Sequence, residues 1–144
     1  MEADLLQAKQ LLEEGGYTCV VCRGSTVYHS THRGVKPLLQ WLDSGTDMMG
    51  FSAADRVVGR GAAFLYRLLG VRRVYGQVMS MTAVKVLRAG GIEASWGSLT
   101  ENIQNRQKDG LCPMEEATLA LQDPEEALAA IRTRLAQLQQ TQRQ

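Results

Sequence analysis

Val71-Arg72-Arg73-Val74-Tyr75-Gly76-Gln77-Val78-Met79, then Thr82 to Ala89, Gly90-Gly91 and Ile92 to Trp96, is the stretch that decides the fold. Val74, Gly76 and Val78 alternate with bulkier neighbours, which is the two-residue period of a strand. Thr82 to Ala89 has helical character and stops at Gly90-Gly91, and Ile92 to Trp96 is a second short strand. A strand, a short helix and a strand form a βαβ unit, so the two strands are expected to be parallel with a right-handed crossover.

Toward the N-terminus, Leu5, Leu6, Leu11 and Leu12 recur at helical spacing across Glu2 to Glu14, ahead of Gly15-Gly16. The β-rich run Tyr17 to Cys22, the turn Arg23-Gly24-Ser25 and the run Thr26 to His29 predict a β-hairpin. Pro37 opens a short helix over Leu38 to Leu42, closed by Asp43-Ser44-Gly45. In Ser52-Ala53-Ala54-Asp55, a hydroxyl precedes a carboxylate by three residues. This variant capping box predicts a long, strongly apolar helix from Ser52 to Gly70.

On the other side of the βαβ unit, Ser98 is expected to cap a further short helix, and Asn105 to Leu111 to form a loop. Pro113 and Pro124 each stand where a first helical residue belongs. The stretch 137–144 is glutamine-rich and is expected to be a frayed tail behind one domain spanning 1–136. The predicted class is α/β: a three-layer sandwich around a mixed sheet of four to five strands, an antiparallel hairpin beside the parallel βαβ pair.

Composition narrows the function classes. The formal net charge is +1, with 16 Lys plus Arg against 15 Asp plus Glu, and no basic stripe suggests a nucleic-acid polymer as partner. No apolar run is long enough to span a bilayer, and Met1-Glu2-Ala3-Asp4 lacks the basic start of a signal peptide. A cytoplasmic location with reduced thiols is the expectation for the three cysteines.

Cys19 and Cys22 form a C-x-x-C, with His29 and His32 downstream. In a strand, residues three apart face opposite sides of the sheet, so this pair is expected to be buried and structural, and no metal is expected. Cys112 differs because it precedes Pro113-Met114-Glu115-Glu116 at a helix start, where unpaired backbone N–H groups favour a reactive sulfur. Glu115 and Glu116 in the same turn oppose that effect, and a buried capping role stays open beside a reactive one. Gly59 and Gly61 interrupt an apolar helix at a cost of about 1 kcal/mol each. Close packing explains them, and anion recognition near Asp55 and Arg60 is the alternative. Arg33, beside Gly34 and Pro37, stands either on a solvated turn or at the lip of a cleft.

Arg33-Gly34-Val35…Pro37-Leu38-Leu39, Asp55-Arg56-Val57-Val58-Gly59-Arg60-Gly61-Ala62-Ala63 and Asn105-Arg106…Gly110-Leu111-Cys112-Pro113-Met114-Glu115 occur in this order. In order and spacing they resemble a bacterial family of uncharacterised proteins, domain-of-unknown-function family 1893, within the cytidine deaminase-like superfamily. The resemblance runs from about Leu5 to Leu135. The family pattern has Lys at Arg56 and Arg60 and Ala at Gly61. Membership implies a helix–sheet–helix sandwich without importing deaminase chemistry. Zinc deaminases place a His or Cys ligand and a Glu where their long helix opens, and two Cys after the third strand. At those places this chain is expected to offer Ser52-Ala53-Ala54-Asp55-Arg56 and Ser80-Met81-Thr82-Ala83.

A metal-independent domain that takes a small anionic or nucleotide-like ligand, with no cofactor, is therefore the leading expectation. Arg33, Asp55, Arg60, Ser80, Asn105 and Arg106 are its candidate binding residues. A Cys112-dependent enzyme, with Glu115 carrying a proton, is the first alternative. The second is a non-catalytic assembly module, a homodimer joined through Gly59-Gly61-Ala62 and the final helix.

Overall fold

A computed structural model of the chain describes residues 2–105 and 107–143, with side chains up to residue 140. Helix α1 (Glu2–Gly15) precedes the hairpin β1 (Cys19–Arg23) and β2 (Thr26–Ser30). Arg23 pairs with Thr26, so the loop holds only Gly24 and Ser25. Gly24 sits at φ +59, the left-handed geometry that tight hairpin turns require. Helix α2 (Lys36–Asp43) follows with Pro37 in its first turn, and leads to β3 (Ser52–Val58).

Strand β3 corrects the long helix expected from Ser52. Extended backbone runs to Gly59, and helix α3 occupies only Arg60–Leu69. The reason is position: β3 is central, between β1 and β4, and both of its faces are covered. Ala53 joins the core beneath α3, and Ala54 joins the one beneath α1. A strand buried on both faces loses the polar–apolar alternation that marks a strand in sequence. Asp55 is accordingly a strand residue and no helix cap.

Strand β4 (Arg73–Ser80), helix α4 (Met81–Ala89) and strand β5 (Glu93–Thr100) are the βαβ unit, with β4 and β5 parallel. Ser80 ends the strand and caps the helix, its hydroxyl accepting the Ala83 N–H at 3.1 Å. Ser98 lies inside β5, paired with Val78, so it caps no helix. Beyond come α5 (Pro113–Thr118) and α6 (Pro124–Arg143), where the Asp123 carboxylate accepts the Glu126 N–H. Helical backbone continues to Arg143, through most of the stretch read as a tail.

The sheet order is β2-β1-β3-β4-β5. Helix α1 covers one face, burying Ala8 and Leu12 against Val20, Cys22 and Ala54. The opposite face carries the larger core under α2, α3 and α4, and α5 and α6 close over α3 through Met114, Ala127 and Ile131. Arg56 secures the small layer: its guanidinium donates to the carbonyls of Leu12 at 2.8 Å and Tyr17 at 2.9 Å. A cation on the last carbonyls of α1 also suits the helix dipole. Cys19 and Cys22 fall in the two different cores, as strand geometry demands.

Candidate functional site

Strands β3, β4 and β5 are mutually parallel, so their carboxyl ends share one end of the sheet, where α/β folds open clefts. Antiparallel β1 brings Cys19 beside Asp55 at this same end. A cavity of about 450 Å³ lies there, a size suited to a small molecule. Asp55, Cys19 and Thr18 line its sheet side, His32, Arg33 and Val35 its mouth, and Gly61 and Ala62 the start of α3. Ile103, Cys112, Met114 and Glu115 form the far wall.

On the sheet side, Asp55 is 7% exposed and accepts the Tyr66 hydroxyl at 2.7 Å and the Val57 N–H at 3.3 Å. The Tyr66 oxygen also lies 3.2 Å from Cys19 Sγ. Among the described residues no cation pairs with Asp55. Burial pushes its carboxyl up to about 6, against the pull of its hydrogen bonds. The same burial raises the Cys19 thiol and the Tyr66 phenol well above their ordinary ranges, so both stay protonated donors.

The far wall is organised by Glu115, only 1% exposed. Its Oε1 accepts the Arg60 N–H at 2.6 Å, the Thr82 hydroxyl at 3.1 Å and the Ser80 hydroxyl at 3.2 Å. Its Oε2 accepts the Ile103 N–H. One carboxyl group thus ties the starts of α3 and α4 to the segment leading into α5. The first intrahelical bond of α3 is Ala63 N–H to Gly59, so Arg60, Gly61 and Ala62 have amides without a helical acceptor. Glu115 takes the first of these.

The glycines have a packing role. A Cβ at Gly61 would stand 3.1 Å from Met114 Cβ, and one at Gly59 would stand 3.1 Å from Ile103 Cγ1. Close approach of the far wall to α3 requires both positions to be small. The surface Gly59-Gly61-Ala62, considered above for a dimer, is therefore an interior contact of the chain.

The structure gathers Arg33, Asp55, Cys112 and Glu115 at the cavity and gives Arg60, Ser80 and Asn105 other roles. Arg60 is buried, but its guanidinium donates to the carbonyls of Thr118 at 2.7 Å and Leu121, capping the end of α5. Ser80 holds Glu115 and its own helix start. Asn105 is occupied within its loop, donating to Asp109 at 2.8 Å and accepting the Asp109 N–H. Arg106 lies outside the described residues. Sequence inspection had no signal for Tyr66, which sits in an apolar helix, except that a buried Asp55 needs a donor from somewhere.

Helix α3 opens at Gly59-Arg60-Gly61, which replaces the expected Ser52–Arg56, and α4 at Ser80-Met81-Thr82. The Glu115 carboxylate with the Ser80 and Thr82 hydroxyls does not make a zinc donor set. Among the described residues no three His, Cys, Asp or Glu are placed to hold a metal ion. No helix of the described residues is long and apolar enough to cross a membrane.

Comparison with known proteins places the fold. No curated protein matches the sequence. A DUF1893 family protein from Thermotoga maritima, known from its crystal structure, is similar with a TM-score of 0.85 and 21% identity, over 92% of this chain and 90% of that one. The dCMP deaminase of cyanophage S-TIM5 is similar at a TM-score of 0.44 and 15% identity, over 66% of this chain and 94% of its own. A Thermotoga maritima diaminohydroxyphosphoribosylaminopyrimidine deaminase/reductase reaches 0.43 and 14%, over 81% of this chain and 40% of its own. The family model for the domain of unknown function DUF1893 matches residues 7–135, so the chain belongs to that family.

Proposed function

We propose that the cavity binds a small anionic or nucleotide-like molecule. The observation that carries this is a cleft of about 450 Å³ lined by the buried Asp55 and Cys19 and by the exposed Arg33 and His32. An anionic group fits the mouth, where Arg33 is exposed, and Gly61 and Ala62 at the start of α3 line the same cavity. The apolar body of the ligand fits between Val35, Val57, Ile103 and Met114. Glu115 serves as a structural anchor, since every partner it has is a donor from the surrounding frame.

A thermal-shift series on the full chain tests this with nucleoside monophosphates, nucleosides and inorganic phosphate. At 100-fold excess over Kd, one bound ligand stabilises by about 2.7 kcal/mol, which for a chain of this size raises Tm by roughly 5 °C or more. At least one monophosphate is expected to do so, and Arg33→Ala to weaken it about tenfold while sparing the matching nucleoside. A flat response across the panel overturns the proposal.

Cys112 supports a second reading, as a thiol nucleophile, because it lines the same cavity and is only partly buried. Loss of a ligand-dependent reaction in Cys112→Ser, with ligand affinity retained, distinguishes the enzyme from the binding domain.

A further inference from the structure

The inner end of the cavity has a polarity that the mouth does not share. Asp55 is buried there, and every donor to it is neutral: the Tyr66 phenol, the Cys19 thiol and the backbone amides of Val57 and Arg56. Arg56, next to it in β3, directs its guanidinium to the opposite face of the sheet, onto the carbonyls that end α1. A carboxylate out of water without a cation is costly unless something compensates it. The charged and titratable groups around this space are Cys19 from β1, Tyr66 from α3, Cys112 and Glu115 on the far wall, and Arg56, which lines the cavity while its guanidinium is engaged by Leu12, Tyr17 and Gln77; His32 and Arg33 stand at the mouth. An anionic group pushed inward would meet Asp55 and Glu115. A cationic group would meet an acceptor already oriented by Tyr66.

We propose that the inner end of this cavity is a cation subsite, in which Asp55 accepts hydrogen bonds from an amidinium, guanidinium or primary ammonium group of a ligand whose anionic end lies at Arg33. The inference rests on the cavity being a ligand site, and it makes the ligand dipolar: a nitrogen cation inside, an anion outside. Asp55 is the specificity-determining residue, and Tyr66 and Cys19 are positioning residues behind it. The Asp55 carboxyl titrates at about 6, so the subsite is charged at neutral pH and loses its charge in mild acid.

Two matched pairs of probes test the assignment by calorimetry on the full chain. They are 4-guanidinobutanoate against 4-ureidobutanoate, and 4-amidinobenzoate against 4-carbamoylbenzoate. Each pair shares its carboxylate and differs in the inner cation. At pH 7.5 at least one cationic member is expected to bind tenfold or more tighter than its neutral partner. The preference should shrink below pH 6 in the wild type and vanish in Asp55→Asn. Equal binding within both pairs, or a preference that ignores pH, overturns the cation subsite. If nucleoside monophosphates stabilise the chain and no cationic probe binds better than its partner, the subsite falls and the anionic ligand site stands. If nothing binds at all, both fall together. The pH arm needs only wild-type protein, so the test survives a variant that folds poorly.

Discussion

The backbone N–H of Arg60 lies 2.6 Å from Oε1 of Glu115, a residue 55 positions further along the chain. This bond joins the first turn of α3 to the first turn of α5 and seals the cavity wall between them. The side chain of Arg60 completes the connection from the other direction by capping the end of α5.

Removal of that carboxyl group is expected to be severe. Glu115→Ala strands the Arg60 and Ile103 amides and two hydroxyls, and charge-assisted hydrogen bonds contribute about 1.5–3 kcal/mol each before non-additivity. A loss of roughly 3 kcal/mol or more is expected in urea unfolding, with Glu115→Gln losing less. A loss below about 1 kcal/mol would mean that the bonds are not made in solution.

Asp55 makes stability depend on pH in an uncommon direction. Its folded value of about 6 lies above the ordinary 3.8, so the folded state holds this proton more tightly than the unfolded chain does. The favourable contribution is complete below the unfolded value and is lost as pH rises through about 6. Two units correspond to about 3 kcal/mol. Urea unfolding of wild type and Asp55→Asn between pH 4 and 8 should diverge in this window, with the variant gaining relative stability as pH rises. Parallel curves would contradict the burial of an ionisable Asp55.

Gly61 separates propensity from packing. An exposed glycine in a helix gains about 1 kcal/mol on conversion to alanine. Gly61→Ala is expected to forgo that gain, because its Cβ meets Met114 Cβ at 3.1 Å. Gly61→Val should lose about 1–3 kcal/mol by overpacking. Thermal denaturation of both variants measures this, and a stabilised Gly61→Val would show that the far wall does not rest on α3.

The cysteines should separate by access. Cys19 and Cys22 are 2% and 0% exposed, whereas Cys112 is partly exposed on the cavity wall. Titration of the native chain with a thiol reagent is expected to show one fast equivalent, mapped by peptide mass to Cys112, and three in denaturant. A cavity ligand should slow the fast one. Fast labelling of Cys19 would mean that the hairpin opens readily from α3.

Arg60 tests the closing segment from its other end. Arg60→Met removes the guanidinium that lies over the Phe64 ring and leaves the Thr118 and Leu121 carbonyls without its hydrogen bonds, a cost of about 1–3 kcal/mol. Hydrogen exchange should quicken in α5 more than in α4. Uniform exchange across both helices would argue against a specific cap.

Much of the architecture was legible in the chain itself. The hairpin, the βαβ unit, the glycine stops and the proline starts are local features: each depends on the backbone preferences of a few neighbouring residues. The opposite-facing cysteines followed from strand geometry alone, and Arg33, Cys112 and Glu115 were marked by residue type and placement, whereas Asp55 was marked by residue type on a helix that proved to be a strand. Tertiary structure alone decided that Ser52–Val58 is a strand, because a strand covered on both faces has no periodic signature and its alanines suit a helix equally well. It also decided that Arg60 turns away from the cavity and that Glu115 anchors two helix starts. Those outcomes depend on partners 33 to 61 residues distant, and hydrogen-bond partners at such separations leave no mark in local sequence.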